Sequence, residues 1–196
     1  MSKNYSAVDP RWQLIWKWQG PRRVRTFMWL AVQGKIQCNT ELYKRRVVAD
    51  MGCIRCNGVI EDAAHAFRDC VAVQGIWRKL FMGHAYANFF SLPLDEWIFQ
   101  NLKSTEQRDD GRAWACTFGV ALWRIWCWRN KFCFEGSAQS VDYIVKDIFS
   151  HAEEIMLTFD TFHGSKETRI ERVFGWKPPP FPFYKLNTDG ACKIYY

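Results

Sequence analysis

The chain has 196 residues, 48% of them apolar and 17% aromatic, with 11 tryptophans and 15 phenylalanines, far more aromatic mass than a disordered chain carries. The formal net charge is +7, and the whole excess lies in residues 1–50, where Lys3, Arg11, Lys17, Arg22, Arg23, Arg25, Lys35, Lys44, Arg45 and Arg46 face only Asp9, Glu41 and Asp50. Met1 to Gly20 lacks the layout of a secretory signal, and the longest apolar run, Ala113 to Trp123, stops well short of the ~18–20 residues that cross a bilayer, so an intracellular chain without a membrane span is expected, in nucleus or cytoplasm alike.

In chain order, apolar spacings of three and four dominate and alternating patterns are scarce, so the chain reads as mainly α. Asp9 before Pro10 resembles a helix cap with proline in the first turn, and Trp12, Ile15 and Trp16 share a face before Gly20 and Pro21 interrupt. A second helix is expected from Pro21, with Val24, Phe27, Met28 and Ala31 as its stripe and Arg22, Arg23 and Arg25 in its first turn, where cations oppose the macrodipole. An anionic partner would relieve that mismatch, and a basic field attracts phosphate backbones by counterion release without base preference; a solvated helix face is the other reading. A third short helix is expected from Thr40 to Arg46 and a fourth from Val71 to Met82, the latter turning Val73, Ile76, Trp77 and Leu80 inward.

After a loop holding Pro93, residues 94–102 form a short predicted helix and Ser104 to Gly111 a polar connection. Arg112 to Glu135 is the longest helical candidate, with Trp114, Phe118, Leu122, Ile125 and Phe132 on one stripe and Trp123, Trp126 and Trp128 off it. A helix apolar nearly all round must be covered on several sides, by this chain's own core or by a protein partner. Gly136 ends it, Ser140 caps the next, and Val141, Ile144, Val145, Ile148, Ala152, Ile155 and Phe159 mark a second long helix that pairs with the first as an antiparallel hairpin. Beyond Gly175 a proline-rich stretch reads as an extended linker, and Tyr184 to Asp189 alternates as one strand would.

Between the third and fourth helices, Cys53 and Cys56 are separated by two residues, and His65 and Cys70 follow with four between them. Two cysteines at that spacing let a tight turn aim both thiolates at one ion, and the downstream pair completes a tetrahedral set. Three thiolates and one imidazole suit zinc in a structural role, because no coordination position stays open for a substrate. Reduced core thiols beside an incidental histidine are the alternative. Asn57 and Gly58 offer the positive backbone angles that a turn around a metal needs. Cys38, Cys116, Cys127 and Cys133, set among apolar neighbours, read as small core residues.

These residues together resemble the reverse-transcriptase zinc-binding family of plant non-LTR (LINE-type) retrotransposons. The resemblance runs through Trp12 to Trp18, Pro21 to Arg25, Phe27, Trp29, Leu42, Arg46, the set Cys53, Cys56, Glu61, His65 and Cys70, and Trp77. Cys38 departs from it, since the family shows threonine there, which puts a local cap in question. Leu122, Trp123, Ile125, Trp126, Arg129, Asn130 and Phe134 are similar to the helical stretch that follows in such elements. Trp176, Pro178, Pro179, Lys185, Leu186, Asn187, Asp189, Gly190 and Ala191 resemble the linker and first strand of a type-1 ribonuclease H, which implies that Asp189 takes the place of its first metal-binding carboxylate.

Ribonuclease H chemistry needs several carboxylates converging on two divalent ions. By the resemblance the later ones would follow Tyr196, and one strand without neighbours forms no stable sheet, so an incomplete, inactive segment and no enzyme is expected. The expected organisation is a zinc-binding helical domain at 1–90, a helical region with its hairpin at 91–163, a proline-rich linker at 164–183 and a ribonuclease H start at 184–196. The partners expected are an RNA or DNA backbone, held weakly by Arg22, Arg23, Arg25, Lys44, Arg45 and Arg46, and a protein that could dock on the tryptophan-rich helix 112–135.

Overall fold

The computed structural model of the chain describes residues 9–56, 59–81, 89–107, 111, 113–137, 139–164 and 180–182. Among these, seven α-helices follow one another: α1 (Trp12–Lys17), α2 (Arg22–Val32), α3 (Asn39–Lys44), α4 (Val71–Leu80), α5 (Leu94–Lys103), α6 (Trp114–Glu135) and α7 (Val141–Gly164). A π-helical turn, His65–Asp69, precedes α4. The mainly α class read from the sequence is the class observed, with pairing between extended segments among the described residues confined to two isolated antiparallel bridges, Gly52 with Ile60 and Gln107 with Ala113.

Local chemistry sets the ends of these helices. Asp9 opens the chain into α1 by accepting the Trp12 N–H on its carbonyl at 3.1 Å and the Arg11 N–H on its carboxylate at 2.9 Å. Pro21, extended at ψ 140, precedes α2 as its cap, and the Arg25 guanidinium reaches back to the carbonyls of Trp16 at 3.0 Å and Gly20 at 3.0 and 3.1 Å, fixing the α1–α2 corner. The third helix stops at Lys44, two residues short of the sequence expectation, because Arg46 sits at φ 58 in the left-handed region and cannot continue it. Gly136, at φ 64, closes α6, and the Ser140 hydroxyl accepts the Tyr143 N–H at 3.2 Å to start α7, both as expected.

Helix α6 is the spine of the fold. It packs against α7, α5, α2 and the π-helical turn, which explains an apolar surface on nearly every side. Trp114, Phe118, Leu122, Ile125 and Trp128 are buried, while Trp123 and Trp126 are half-buried and meet Phe27 of α2. Trp77 of α4 meets Trp97 of α5 edge-on at 5.5 Å and Phe118 of α6 at the same separation, so three helices share one aromatic centre. Ile144, Val145, Ile148 and Ala152 of α7 close the other side; the side chain of Phe159 lies outside the described ones.

Met1–Gly164 forms one compact unit whose core is continuous from Ile15 to Ala152. Ser165–Tyr196 forms a second, of which residues 180–182 are described, as a turn. Met82, most of the proline-rich stretch, the expected strand and Asp189 lie outside the described residues. No helix among the described residues is long and apolar enough to cross a membrane.

Candidate metal centre

The cysteine segment folds as a small hairpin. Cys53 donates its N–H to the carbonyl of Val59 at 2.7 Å and Glu61 donates to Met51 at 2.8 Å, bracketing the Gly52–Ile60 bridge. A turn carries the chain from Cys53 to Cys56, whose N–H reaches back to the Cys53 carbonyl at 3.2 Å; Asn57 and Gly58 are outside the described residues. The second half of the set comes from the π-helical turn. Residues five apart on an α-helix point roughly 140° away from each other, whereas the wider π turn stacks them, and its closing bond runs from the Cys70 N–H to the His65 carbonyl at 3.0 Å. Asp62 starts that turn by accepting the His65 N–H on its carboxylate at 2.7 Å, and Cys70 is in turn the cap of α4.

Cys53, Cys56, His65 and Cys70 thus converge, each offering one ligand atom, with all four atoms within 4.8 Å of one another. The sulfurs of Cys56 and Cys70 are 3.4 Å apart, too far for a disulfide of about 2.05 Å. Tetrahedral zinc, with bonds of ~2.3 Å to sulfur and ~2.0 Å to nitrogen, spaces its ligand atoms at ~3.5–3.8 Å, close to this arrangement. The His65 Nε2 is buried and has no hydrogen-bond partner among the described residues, and an orphaned buried nitrogen is what an ion would satisfy. Burial pushes the Cys53 thiol up, and burial together with the Cys56 contact pushes Cys70 up to about 12, so without an ion both sulfurs keep their protons. The residues present fit a metal with three thiolates and one imidazole.

Behind the ligands lies a polar network that reading the residues one at a time missed. The Glu61 carboxylate, 2% exposed, accepts both Nε and an Nη of Arg129 in α6, at 3.3 and 2.5 Å, and also the Asn39 N–H at 3.1 Å. Asn39 accepts from Arg129 at 2.8 Å and donates its side-chain amide to the Gly52 carbonyl at 2.7 Å. Glu61 therefore caps α3, so the start of α3 has a cap despite the cysteine at position 38, whose side chain makes no cap bond. The signal was present, since Glu61 and Arg129 both belonged to the resemblance, but 68 residues separate them and nothing local pairs them.

The six cations expected to meet phosphate do not behave alike. Arg22, Arg23, Arg45 and Arg46 are exposed and make no ion pair among the described residues. Arg25 is half-buried and committed to the α1–α2 corner, and Lys44 pairs with Glu41 at 2.5 Å. The cysteines Cys38, Cys116, Cys127 and Cys133 are free thiols at buried or half-buried positions, and Cys133 lines the small cavity beside Cys53, His65 and Cys70.

Fold and site together define a mainly helical unit with a converging Cys3His set, fit for a metal, held between a hairpin and a helix start. Residues 1–77 match the family described as zinc-binding in reverse transcriptase. Over 186 residues, 91% of this chain, the sequence is 31% identical to an Arabidopsis thaliana protein provisionally named a ribonuclease H protein, and the match spans 29% of that relative's length. No solved structure matches the chain. Both parts of the resemblance read from the sequence are met, and the chain is retroelement-derived.

Proposed function

We propose that this chain holds a structural zinc ion on Cys53, Cys56, His65 and Cys70 and uses the surface so organised to bind nucleic-acid backbones without sequence preference. The observation that carries the reading is the convergence, within 4.8 Å, of three sulfurs and a buried imidazole nitrogen that has no hydrogen-bond partner among the described residues. When bound, the ion supplies cross-linking of two turns and no chemistry, because four protein ligands leave no site for a substrate. Arg22, Arg23, Arg45 and Arg46, exposed and without an ion pair among the described residues, are the side chains we assign to phosphate. Elemental analysis of the purified chain should give one zinc per chain, falling to none in Cys70→Ser; a wild-type chain with no stoichiometric metal defeats the proposal.

The same reading makes the chain a binder and no nuclease. Thiolate-rich closed coordination at the Cys3His set differs from the open carboxylate sites of two-metal hydrolysis. Incubation with an RNA:DNA hybrid and magnesium should leave the hybrid intact, and cleavage above background by pure chain overturns this part. The alternative of a protein-docking module draws support from exposed apolar side chains near the hairpin, Ile54, Val59 and Ile60, and from Phe134 at the end of α6.

A further inference from the structure

We infer that Arg129 and Arg55 are positioning residues of the metal centre, so that helix α6 is part of the metal-binding unit although it begins 37 residues beyond the end of the family match at 77. The inference rests on the metal reading above and adds what holds the ligands in place. Arg129 leaves α6 and is forked onto Glu61, the residue that directly follows the Gly52–Ile60 bridge. Through its backbone Glu61 donates to Met51 at 2.8 Å and accepts from Thr40 at 3.1 Å, and through its carboxylate it caps α3. Glu61 thereby ties the hairpin that carries Cys53 to α3 and α6, through its backbone to Met51 and through its carboxylate to Asn39 and Arg129. Burying a carboxylate is costly unless it is paired, and Arg129, 5% exposed, is its partner.

The second clamp runs the opposite way. Arg55 stands inside the turn between Cys53 and Cys56 and lays its guanidinium over the rings of Trp128 at 3.6 Å and Phe132 at 4.4 Å, with a bond to the Trp128 carbonyl at 3.4 Å. The cation is thus held against aromatic faces instead of water. Trp128, Arg129 and Phe132 occupy one turn of α6, so both ends of the hairpin are pinned to the same helical turn. The cavity beside the ligands is lined from that helix too, by Arg129, Phe132 and Cys133. Groups that orient metal ligands from behind tune affinity without touching the ion.

The test is made on the full chain with zinc affinity by chelator competition and ligand geometry by cobalt substitution. Arg129→Met should lose ~10–100-fold in zinc affinity and shift the cobalt d–d bands while keeping its far-UV helix signal, with Arg129→Lys recovering part of the loss. Wild-type affinity and an unchanged cobalt spectrum in Arg129→Met overturn the inference while leaving the metal reading standing. A wild-type chain that takes up neither zinc nor cobalt overturns both. Should Arg129→Met fail to fold, amide hydrogen exchange on the unaltered chain decides: stripping the metal should raise exchange at Trp126 to Phe132 as well as in the hairpin, and α6 protection indifferent to metal overturns the coupling.

Discussion

Gly119 lies in the second turn of α6 under the ring of Trp18, whose indole N–H donates to the Ala115 carbonyl at 2.8 Å. A Cβ added at Gly119 would meet that ring at 2.5 Å, a distance real contacts do not show. Alanine is the better helix former by about 1 kcal/mol, but the indole is pinned and cannot withdraw, so overpacking of ~1–3 kcal/mol wins. Gly119→Ala should therefore lower the denaturation midpoint, and a stabilised variant would show that the ring moves freely. At the ligands the sign follows from burial: the Cys53 and Cys70 thiols are both raised, so each carries a proton that zinc must displace near neutral pH. Zinc uptake in weak buffer should release at least two protons per ion, and apparent affinity should rise with pH and be lost on acidification; an affinity flat between pH 6 and 8 contradicts this. The ligand residue types and their spacing were legible in the sequence, whereas the Trp18 wedge was not, because 101 positions separate it from Gly119 and no local pattern links an aromatic to a distant glycine.

Among the elements, helices with a clean apolar stripe were legible almost to the residue. Helix α6 ends at the glycine and α7 starts at the serine that the sequence offers for those tasks. The π-helical turn was not legible, since its signal is geometric: His65 and Cys70 face one point only when the turn widens. The hairpin was equally silent, with one bridge and two flanking hydrogen bonds too short for alternation to register. The hairpin carries two ligands and little buried apolar area, so metal is expected to contribute most of its order, whereas the π-helical turn also buries Ala66 and Phe67 in the core. Chelation should abolish amide protection at Cys53 and Glu61 while the centre of α7, at Ile144 and Ile148, stays protected by its buried packing. Loss of α7 protection on chelation would instead place metal at the root of the whole fold.

For the whole molecule the question is what the concentrated positive charge does. Composition located it in residues 1–50 but could not sort structural cations from free ones, because that depends on which carbonyls and carboxylates fold next to them. Among the described residues the sorting leaves Arg22, Arg23, Arg45 and Arg46 without an ion pair, while Arg25 serves the α1–α2 corner and Lys44 its own helix. If the first four contact phosphate, each contributes about 0.7–0.9 to the slope of log affinity against log salt. Replacing all four by glutamine should flatten the slope by ~3 units and weaken single- and double-stranded probes of any sequence alike, with the melting temperature little changed. Arg25→Gln should do the reverse, lowering the melting temperature through the orphaned carbonyls of Trp16 and Gly20 while leaving the salt slope nearly intact. Equal slopes for the wild type and the fourfold variant, measured by fluorescence anisotropy at graded salt, would mean that the basic surface is only solvated and would leave the nucleic-acid reading without its physical basis.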